Sequence, residues 1–297
     1  MSKICVVGSL NMDKTMTLAK LPQIGETLEG QEISDSAGGK GFNQAVAAAR
    51  LGSEVVFIGA VGDDENGRIL KKILKDEHID DEQVEMLDTT TGIAWILIEE
   101  SGKNMILTYA GANKAFSLNE LKRQCIADCD IVISQFEIAE ATILSAFKQA
   151  KAAGKTTILN PAPGKFCKKE LLELTDYFMP NETEFDIVTN HQSKTTEERV
   201  AKAKELIKSG IKAIIITLGE AGSLIITSES VHEVPAVKAK VIDTTAAGDS
   251  YIGTFAHFLA QGASIYQAAE KAAKVAAKVV EKYGAYTSLP TAEELNQ

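Results

Sequence analysis

Residues 4–13 read Ile4-Cys5-Val6-Val7-Gly8-Ser9-Leu10-Asn11-Met12-Asp13. Four apolar residues in a row precede a glycine and a polar stretch. The run is continuous rather than alternating, the pattern of a strand covered on both faces. The same form returns at 55–58, 131–133, 156–159, 177–179 and 213–217. Helical patterns separate the runs at 43–51, 67–77, 138–153 and 196–209, and two more close the chain at 250–262 and 265–283. Strand and helix in alternation predict an α/β fold with a mostly parallel central sheet and helices on both faces.

Two regions break the alternation. Residues 17–36 carry alternating residues around the turn signal Pro22-Gln23-Ile24-Gly25. Residues 91–108 read as a hairpin that turns through Glu99-Glu100-Ser101-Gly102-Lys103. Extended segments of this kind do not belong in a parallel βαβ sheet. They predict a small separate β-sheet acting as a lid or an interface. No internal repeat, low-complexity tract or Pro/Ser linker stands out. The expectation is one α/β domain over 1–297, with lid strands within 14–36 and 91–108.

Composition narrows the function. The chain has 297 residues, 45% hydrophobic and 24% charged. That is ordinary for a globular protein and excludes a disordered chain, a collagen-like repeat or a disulfide miniprotein. Acidic residues outnumber basic ones by 41 to 31, a net charge of -10. Such a balance argues against holding nucleic acid or an anionic membrane by general electrostatics. It leaves room for a local basic pocket. The first apolar run is too short for a signal peptide. No stretch approaches the roughly 18 apolar residues of a membrane helix. A cytoplasmic protein is expected. Cys5, Cys125, Cys129 and Cys167 read as ordinary reduced thiols. The four histidines are scattered, with no metal-ligand spacing.

In an open parallel sheet the ligand lies beyond the carboxyl ends of the strands. Nearly every run here ends in a polar or glycine-rich turn: after residue 7, at Gly62-Asp63-Asp64, Gln135-Phe136-Glu137, Asn160-Pro161-Ala162-Pro163, Asn181-Glu182-Thr183-Glu184 and Leu218-Gly219-Glu220-Ala221-Gly222. Ser36-Ala37-Gly38-Gly39-Lys40-Gly41-Phe42-Asn43 opens a helix. Its glycines admit close backbone approach, and the first amides of a helix can bind an anion or a hydroxyl oxygen. It is not a Walker A loop, because Ser34 stands at the first glycine position and Gly41 follows the lysine. It is not a Rossmann fingerprint either, because Gln44 holds the third glycine position. Near the end, a short strand is expected to finish at Asp243. Thr244-Thr245-Ala246-Ala247-Gly248 then lead to Asp249 and a long helix. Amides at that helix start form an anion hole, and the carboxylate beside them can take a proton. The combination suits phosphoryl transfer.

From residue 4 to about residue 289 the chain resembles the ribokinase family of carbohydrate kinases, the PfkB type. Two long motifs carry the likeness: Ala37-Gly38-Gly39-Lys40-Gly41-Phe42-Asn43-Gln44-Ala45 and Asp243-Thr244-Thr245-Ala246-Ala247-Gly248-Asp249. Gly25-Glu26-Thr27, Thr91-Gly92, Ala110-Gly111-Ala112-Asn113, Asn160-Pro161-Ala162-Pro163 and Pro180-Asn181-Glu182-Thr183-Glu184 agree as well. The resemblance implies a phosphotransferase that uses ATP to phosphorylate D-ribose at its 5-hydroxyl. It puts Asn11, Asp13, Gly39, Lys40, Asn43 and Glu137 around the sugar. It makes Asp249 the general base and Ala246, Ala247 and Gly248 the anion hole. Asn181 and Glu184 would organise Mg2+ and phosphates, with Thr217, Gly219, Gly222 and Gly248 along the nucleotide. Asp243, Thr245, Gly284 and Ser288, with backbone oxygens of Val279 and Lys282, would hold an activating K+. The lid strands would form a homodimer interface. The alternatives are a kinase for another small sugar, 2-deoxyribose or fructose, or a non-catalytic sugar sensor on the same fold. The chain departs from the family at Phe42 and at Tyr251-Ile252, and in the lysines of the helix at 271–282.

Overall fold

The opening run is a strand, β1 (Lys3–Val7), and its alternate residues enter two different cores. Ile4 and Val6 pack in one cluster, Cys5 and Val7 in the other, all fully buried. That is the physical meaning of an unbroken apolar run: neither face meets water. The structure, a computed structural model, describes residues 2–101 and 103–295. Gly102 of the expected hairpin turn lies outside them, as do Met1, Asn296 and Gln297.

In chain order, β1 is followed by β2 (Asn11–Leu18), β3 (Glu32–Gly38), α1 (Lys40–Arg50), β4 (Glu54–Gly62), α2 (Glu65–Asp76) and β5 (Val84–Leu87). Next come β6 (Gly92–Glu99), β7 (Asn104–Tyr109), α3 (Glu120–Asp128), β8 (Ile131–Gln135), α4 (Glu140–Ala152) and β9 (Thr156–Asn160). Then follow α5 (Lys169–Glu173), β10 (Tyr177–Phe178), α6 (Glu182–Thr189), α7 (Thr196–Ile207), β11 (Ala213–Thr217), β12 (Ser223–Ile226) and β13 (Val231–Val234). The chain closes with α8 (Ala247–Ala260), α9 (Ile265–Val279) and α10 (Ala292–Leu295).

The large sheet runs β13-β12-β11-β10-β9-β8-β1-β4-β5. From β11 to β5 every pairing is parallel, and β12 and β13 add an antiparallel edge. Helices α1, α8 and α9 pack on one face in the first core. Residues of α3, α4, α5, α6 and α7 fill the second core on the other. All six expected runs are strands of this sheet, with their carboxyl ends at one edge.

The second sheet, β3-β2-β6-β7, is the small one expected from the two irregular regions. It differs in one respect that matters. Asn11 and Asp13 are not in a turn after β1: they lie in β2, which begins three residues after β1 ends and pairs with both β3 and β6. The small sheet therefore grows directly out of the edge where the ligand is expected. Its outer strand β7 is exposed throughout, with Met105, Ile106, Leu107 and Tyr109 bare upon it, and Ile33 is exposed on the opposite edge strand β3.

Three local expectations are corrected. No strand forms at 241–243; the backbone N–H groups of Ile242 and Asp243 both donate to the carbonyl of Val280, at 2.7 and 3.2 Å. The closing helix ends at Val279, not 283, and the chain turns at Gly284 with φ of 87°. Asn181-Glu182-Thr183-Glu184 is not a loop but the start of α6.

Candidate active site

Two helix starts meet at the carboxyl edge of the large sheet. The first is that of α1. Gly39 is its N-cap, and Gly41 sits so close to the end of β1 that an added Cβ would lie 2.5 Å from the nitrogen of Ser9. Glu137, just after β8, closes this corner. One of its carboxylate oxygens accepts from the Ser9 hydroxyl at 2.5 Å and from the Lys40 backbone N–H at 2.9 Å. A carboxylate on the first amides of a helix is electrostatically favoured. Asn11 is held by Asn113, whose amide donates to Asn11 Oδ1 at 2.8 Å and pairs both ways with the backbone of Leu10.

Charge gathers here. Burial pushes the Asp13 carboxyl up from 3.8 to about 7, helped by the negative fields of Glu137 and Asp249 and opposed by Lys40. The Lys40 ammonium is held above its ordinary range mainly by Asp249, against burial, with Glu137, Glu184 and Asp13 adding to it. One ammonium thus serves several carboxylates, which accounts for a lysine in a glycine loop that is not a Walker A motif.

Because the folded protein keeps a proton on Asp13 that the unfolded chain has already lost, its contribution to stability is present below about pH 4 and is lost as pH rises toward 7. We expect Asp13→Asn to remove that slope and to unfold at a higher temperature than the parent at pH 8. Thermal melts from pH 4 to 8 check this; an unchanged slope contradicts it.

The second helix start is that of α8. Its N-cap, Ala246, adopts a left-handed conformation with φ of 61°, and no side chain caps the helix. The first amides of a helix have no intrahelical acceptor. Here the Ala247 N–H turns back to the Thr244 carbonyl at 3.2 Å. The next residues open on a cavity of about 190 Å³ lined by Lys40, Asn160, Ala162, Met179, Asn181, Glu184, Thr217, Thr244, Ala246, Gly248, Asp249 and Ile252. Buried Asp249 has both oxygens held, Oδ2 by Asn43 Nδ2 at 3.1 Å and Oδ1 by Gln44 Nε2 at 2.9 Å. The two motifs, some 200 residues apart in sequence, therefore meet at one carboxylate.

Asn181 and Glu184 face each other as a capping box of α6: Asn181 Oδ1 accepts from the Glu184 N–H at 2.8 Å, and Glu184 Oε2 from the Asn181 N–H at 2.9 Å. Burial raises the Glu184 carboxyl above its usual range, against the hydrogen bond from Asn181 and the charge of Lys40. Thr217 ends β11 and is tied to Pro180. Gly219 and Gly222 lie beyond the lining residues, in the turn between β11 and β12.

Of the expected cation residues, Asp243, Thr245 and Gly284 are joined by hydrogen bonds. Asp243 Oδ1 accepts from the Thr245 N–H and hydroxyl at 2.9 and 2.6 Å, and Oδ2 from the Gly284 N–H at 2.9 Å. Burial opposes ionisation of Asp243, but these bonds outweigh it and hold its carboxyl below the ordinary range. Lys282 donates its N–H to the Val279 carbonyl, and buried Ser288 donates its hydroxyl to Ala285. The Lys282 ammonium is turned away to Glu294 at 2.9 Å. Carboxylate, hydroxyl and carbonyl oxygens are hard donors, a set that fits an alkali cation. Among the described residues no group of three His, Cys, Asp or Glu gathers to hold a metal ion.

Sequence reasoning missed Ser9, Gln44, Gln135, Asn113 and Asn160 as site residues. All five occur in the motifs and strand-end turns already singled out, and all are buried polar side chains.

The profile of the pfkB family of carbohydrate kinases matches residues 1–292. The chain belongs to this family. Among curated pfkB-type relatives, the ribokinase of Staphylococcus aureus is 36% identical over 301 residues, covering all of this chain and 99% of that protein. The deoxyribokinase of Salmonella typhi is 36% identical over 304 residues, with 99% and 97% covered. A bifunctional ribokinase/ribose-5-phosphate isomerase A of Fructilactobacillus sanfranciscensis is 40% identical over 300 residues; the match takes in 99% of this chain and 56% of that protein. The solved structure of Arabidopsis thaliana ribokinase with ribose and ATP superposes with a TM-score of 0.94 at 30% identity, covering 100% of this chain and 98% of that one. Within the pfkB frame two of the departures, Phe42 and Tyr251, have structural explanations. The Phe42 ring packs 5.5 Å from that of Tyr286, joining α1 to the 284–288 loop. Tyr251 hydrogen-bonds Ser223 at 2.8 Å inside the sheet edge.

Proposed function

We propose that this carbohydrate kinase transfers the γ-phosphoryl group of ATP to the 5-hydroxyl of D-ribose, giving ribose 5-phosphate and ADP. The reading rests above all on Asp249: a buried carboxylate, clamped by two amides, at an uncapped helix start that opens on a cavity shared with Lys40, Glu184 and Thr217. The names of the relatives support it, including a ribokinase that binds ribose and ATP.

In this reading Asn11, Asp13, Lys40, Asn43, Glu137 and the backbone of Gly39 pair with the sugar hydroxyls. Asn113 fixes Asn11, and Ser9 fixes Glu137. Asp249 accepts the 5-hydroxyl proton as that oxygen attacks the γ-phosphorus and the bond to the β-phosphate oxygen breaks. The amides of Ala246 and Gly248, with that of Ala247 once it leaves the Thr244 carbonyl, neutralise the charge on the moving group. ATP lies along Thr217, Gly219, Gly222 and Gly248, with Asn181 and Glu184 at its phosphates. Bound Mg2+ would shield those phosphates through water held by Glu184. Bound K+, held by Asp243, Thr245, Val279, Lys282, Gly284 and Ser288, would add fixed positive charge behind the helix start.

The deoxyribokinase relative, at the same 36% identity, supports a second reading with 2-deoxyribose as acceptor. Asn11 and Asp13 together favour a sugar that has both its 2- and 3-hydroxyls. ADP release with ribose, 2-deoxyribose, fructose and adenosine, each with and without K+, separates the readings. We expect kcat/KM highest for ribose and raised by K+. A higher value for 2-deoxyribose installs the second reading, and no turnover by a chain that binds ribose installs the sensor.

The exposed apolar residues on β3 and β7 support a homodimer through the small sheet, which then serves as both lid and interface. Sedimentation of the intact chain as a monomer at micromolar concentration would remove it. Among the described residues no helix is long and apolar enough to cross a membrane. That fits a cytoplasmic enzyme acting on small metabolites.

A further inference from the structure

We propose that Gln44 is a positioning residue that fixes the carboxylate plane of Asp249 through a directional chain of side-chain amides anchored on the Met179 carbonyl. The inference rests on the base role of Asp249 given above. The chain is short and fully buried. Asn160 Nδ2 donates to the Met179 carbonyl at 3.0 Å, Gln44 Nε2 donates to Asn160 Oδ1 at 3.2 Å and to Asp249 Oδ1 at 2.9 Å, and Gln135 Nε2 donates to Gln44 Oε1 at 2.6 Å. Gln44 and Gln135 have no exposed surface.

An amide side chain presents a donor and an acceptor of nearly equal shape, so its orientation is decided by its partners. Here the partners leave one answer. A carbonyl only accepts, so Asn160 turns its NH2 to Met179 and its oxygen to Gln44. A carboxylate only accepts, so Gln44 meets two acceptors and must show them its NH2. Its oxygen then faces Gln135, which must donate. Gln135 Oε1 has no partner, so the chain ends there. Three side chains are thereby held in one sense, and the last donor is aimed at one oxygen of Asp249. Asn43 holds the other oxygen, but by this reading it also touches sugar. Gln44 is not among the residues proposed to touch sugar, so it can keep the base aligned whether or not sugar is bound.

A base out of alignment slows the chemical step without weakening ground-state binding.

The test uses Gln44→Met, which keeps length and helix propensity but cannot donate, and Gln135→Met, which removes the donor that orients Gln44. For Gln44→Met we expect kcat about 10- to 100-fold lower, with KM and calorimetric Kd for ribose and ATP within about twofold. Gln135→Met shows a smaller loss that also falls on kcat and spares KM, and the double variant is no worse than Gln44→Met, because both act through one chain. A folded Gln44→Met with parental kcat overturns the proposal, as does a loss that falls on KM instead of kcat. If Gln44→Met does not fold, Gln135→Met decides by the same two readouts. Asp249→Asn in the same assay separates the two claims. If it still turns over, the base reading itself fails. If it is dead while Gln44→Met is normal, only the positioning role is lost.

Discussion

Asp249→Asn is expected to lower kcat about 100- to 10,000-fold while ribose and ATP bind within a few-fold of their parental affinity. The size follows from what the carboxylate does. It is the group in the cavity whose two oxygens are pre-aligned by donors, and the helix-start amides beside it are where phosphoryl charge would collect. Asparagine preserves the shape and one acceptor, so one of the two amides from Asn43 and Gln44 loses its partner while the fold is kept. It also removes one of the negative fields that hold a proton on Asp13, so Asp13 becomes easier to ionise. Single-turnover rates with calorimetric Kd values check both halves. Parental kcat contradicts the assignment, and lost binding with normal saturated rates reassigns Asp249 to holding sugar.

Gly39→Ala has the second largest expected effect, on stability and sugar affinity together. Gly39 has φ of 96°, where a side chain is strained by about 1–3 kcal/mol. Its Cβ would also stand 3.0 Å from the Asn11 nitrogen and the Ser9 carbonyl oxygen. Both of those backbone atoms belong to the corner proposed to hold sugar, and neither can swing aside as a side-chain tip does. Gly52 offers a control: its φ is also 96°, but an added Cβ meets nothing within 4 Å. We expect Gly52→Ala to lose stability with unchanged kinetics, and Gly39→Ala to lose stability and raise the KM for sugar at least about tenfold. Equal kinetics in the two variants would show that the close approach at Gly39 does not shape the site.

The central sheet was legible because its strands are covered on both faces and read as unbroken apolar runs, six of them in order. What escaped was short or served two purposes. The antiparallel edge strands β12 and β13 have four residues each, too few for a period to show. Val241 and Ile242 look like the end of a strand because they are apolar, yet the N–H groups of Ile242 and Asp243 bond the Val280 carbonyl after α9 and no ladder forms. Asn181 to Glu184 is polar because it caps α6, and its two capping residues, Asn181 and Glu184, also line the cavity, so a turn and a helix start are indistinguishable by composition there.

The site divides in the same way. Its motifs at 37–45 and 243–249 are compact and could be read directly. The partners that orient them are far off in sequence: Gln44 meets Asp249 across 205 residues, and Asn113 meets Leu10 across 103. Such pairings exist only after the sheet has brought its strand ends to one edge. A buried amide looks the same in a sequence whether it fills a core or aims a carboxylate.

The most direct test of the whole account is the identity of the product. The chain is incubated with ATP, Mg2+, K+ and ribose, and the phosphate position is read by phosphorus–proton NMR. We predict phosphate on C5 of ribose, formed in step with ADP and absent with Asp249→Asn. Phosphate on another carbon, or ADP released with no phosphorylated sugar, would contradict the proposed arrangement of base, helix start and sugar.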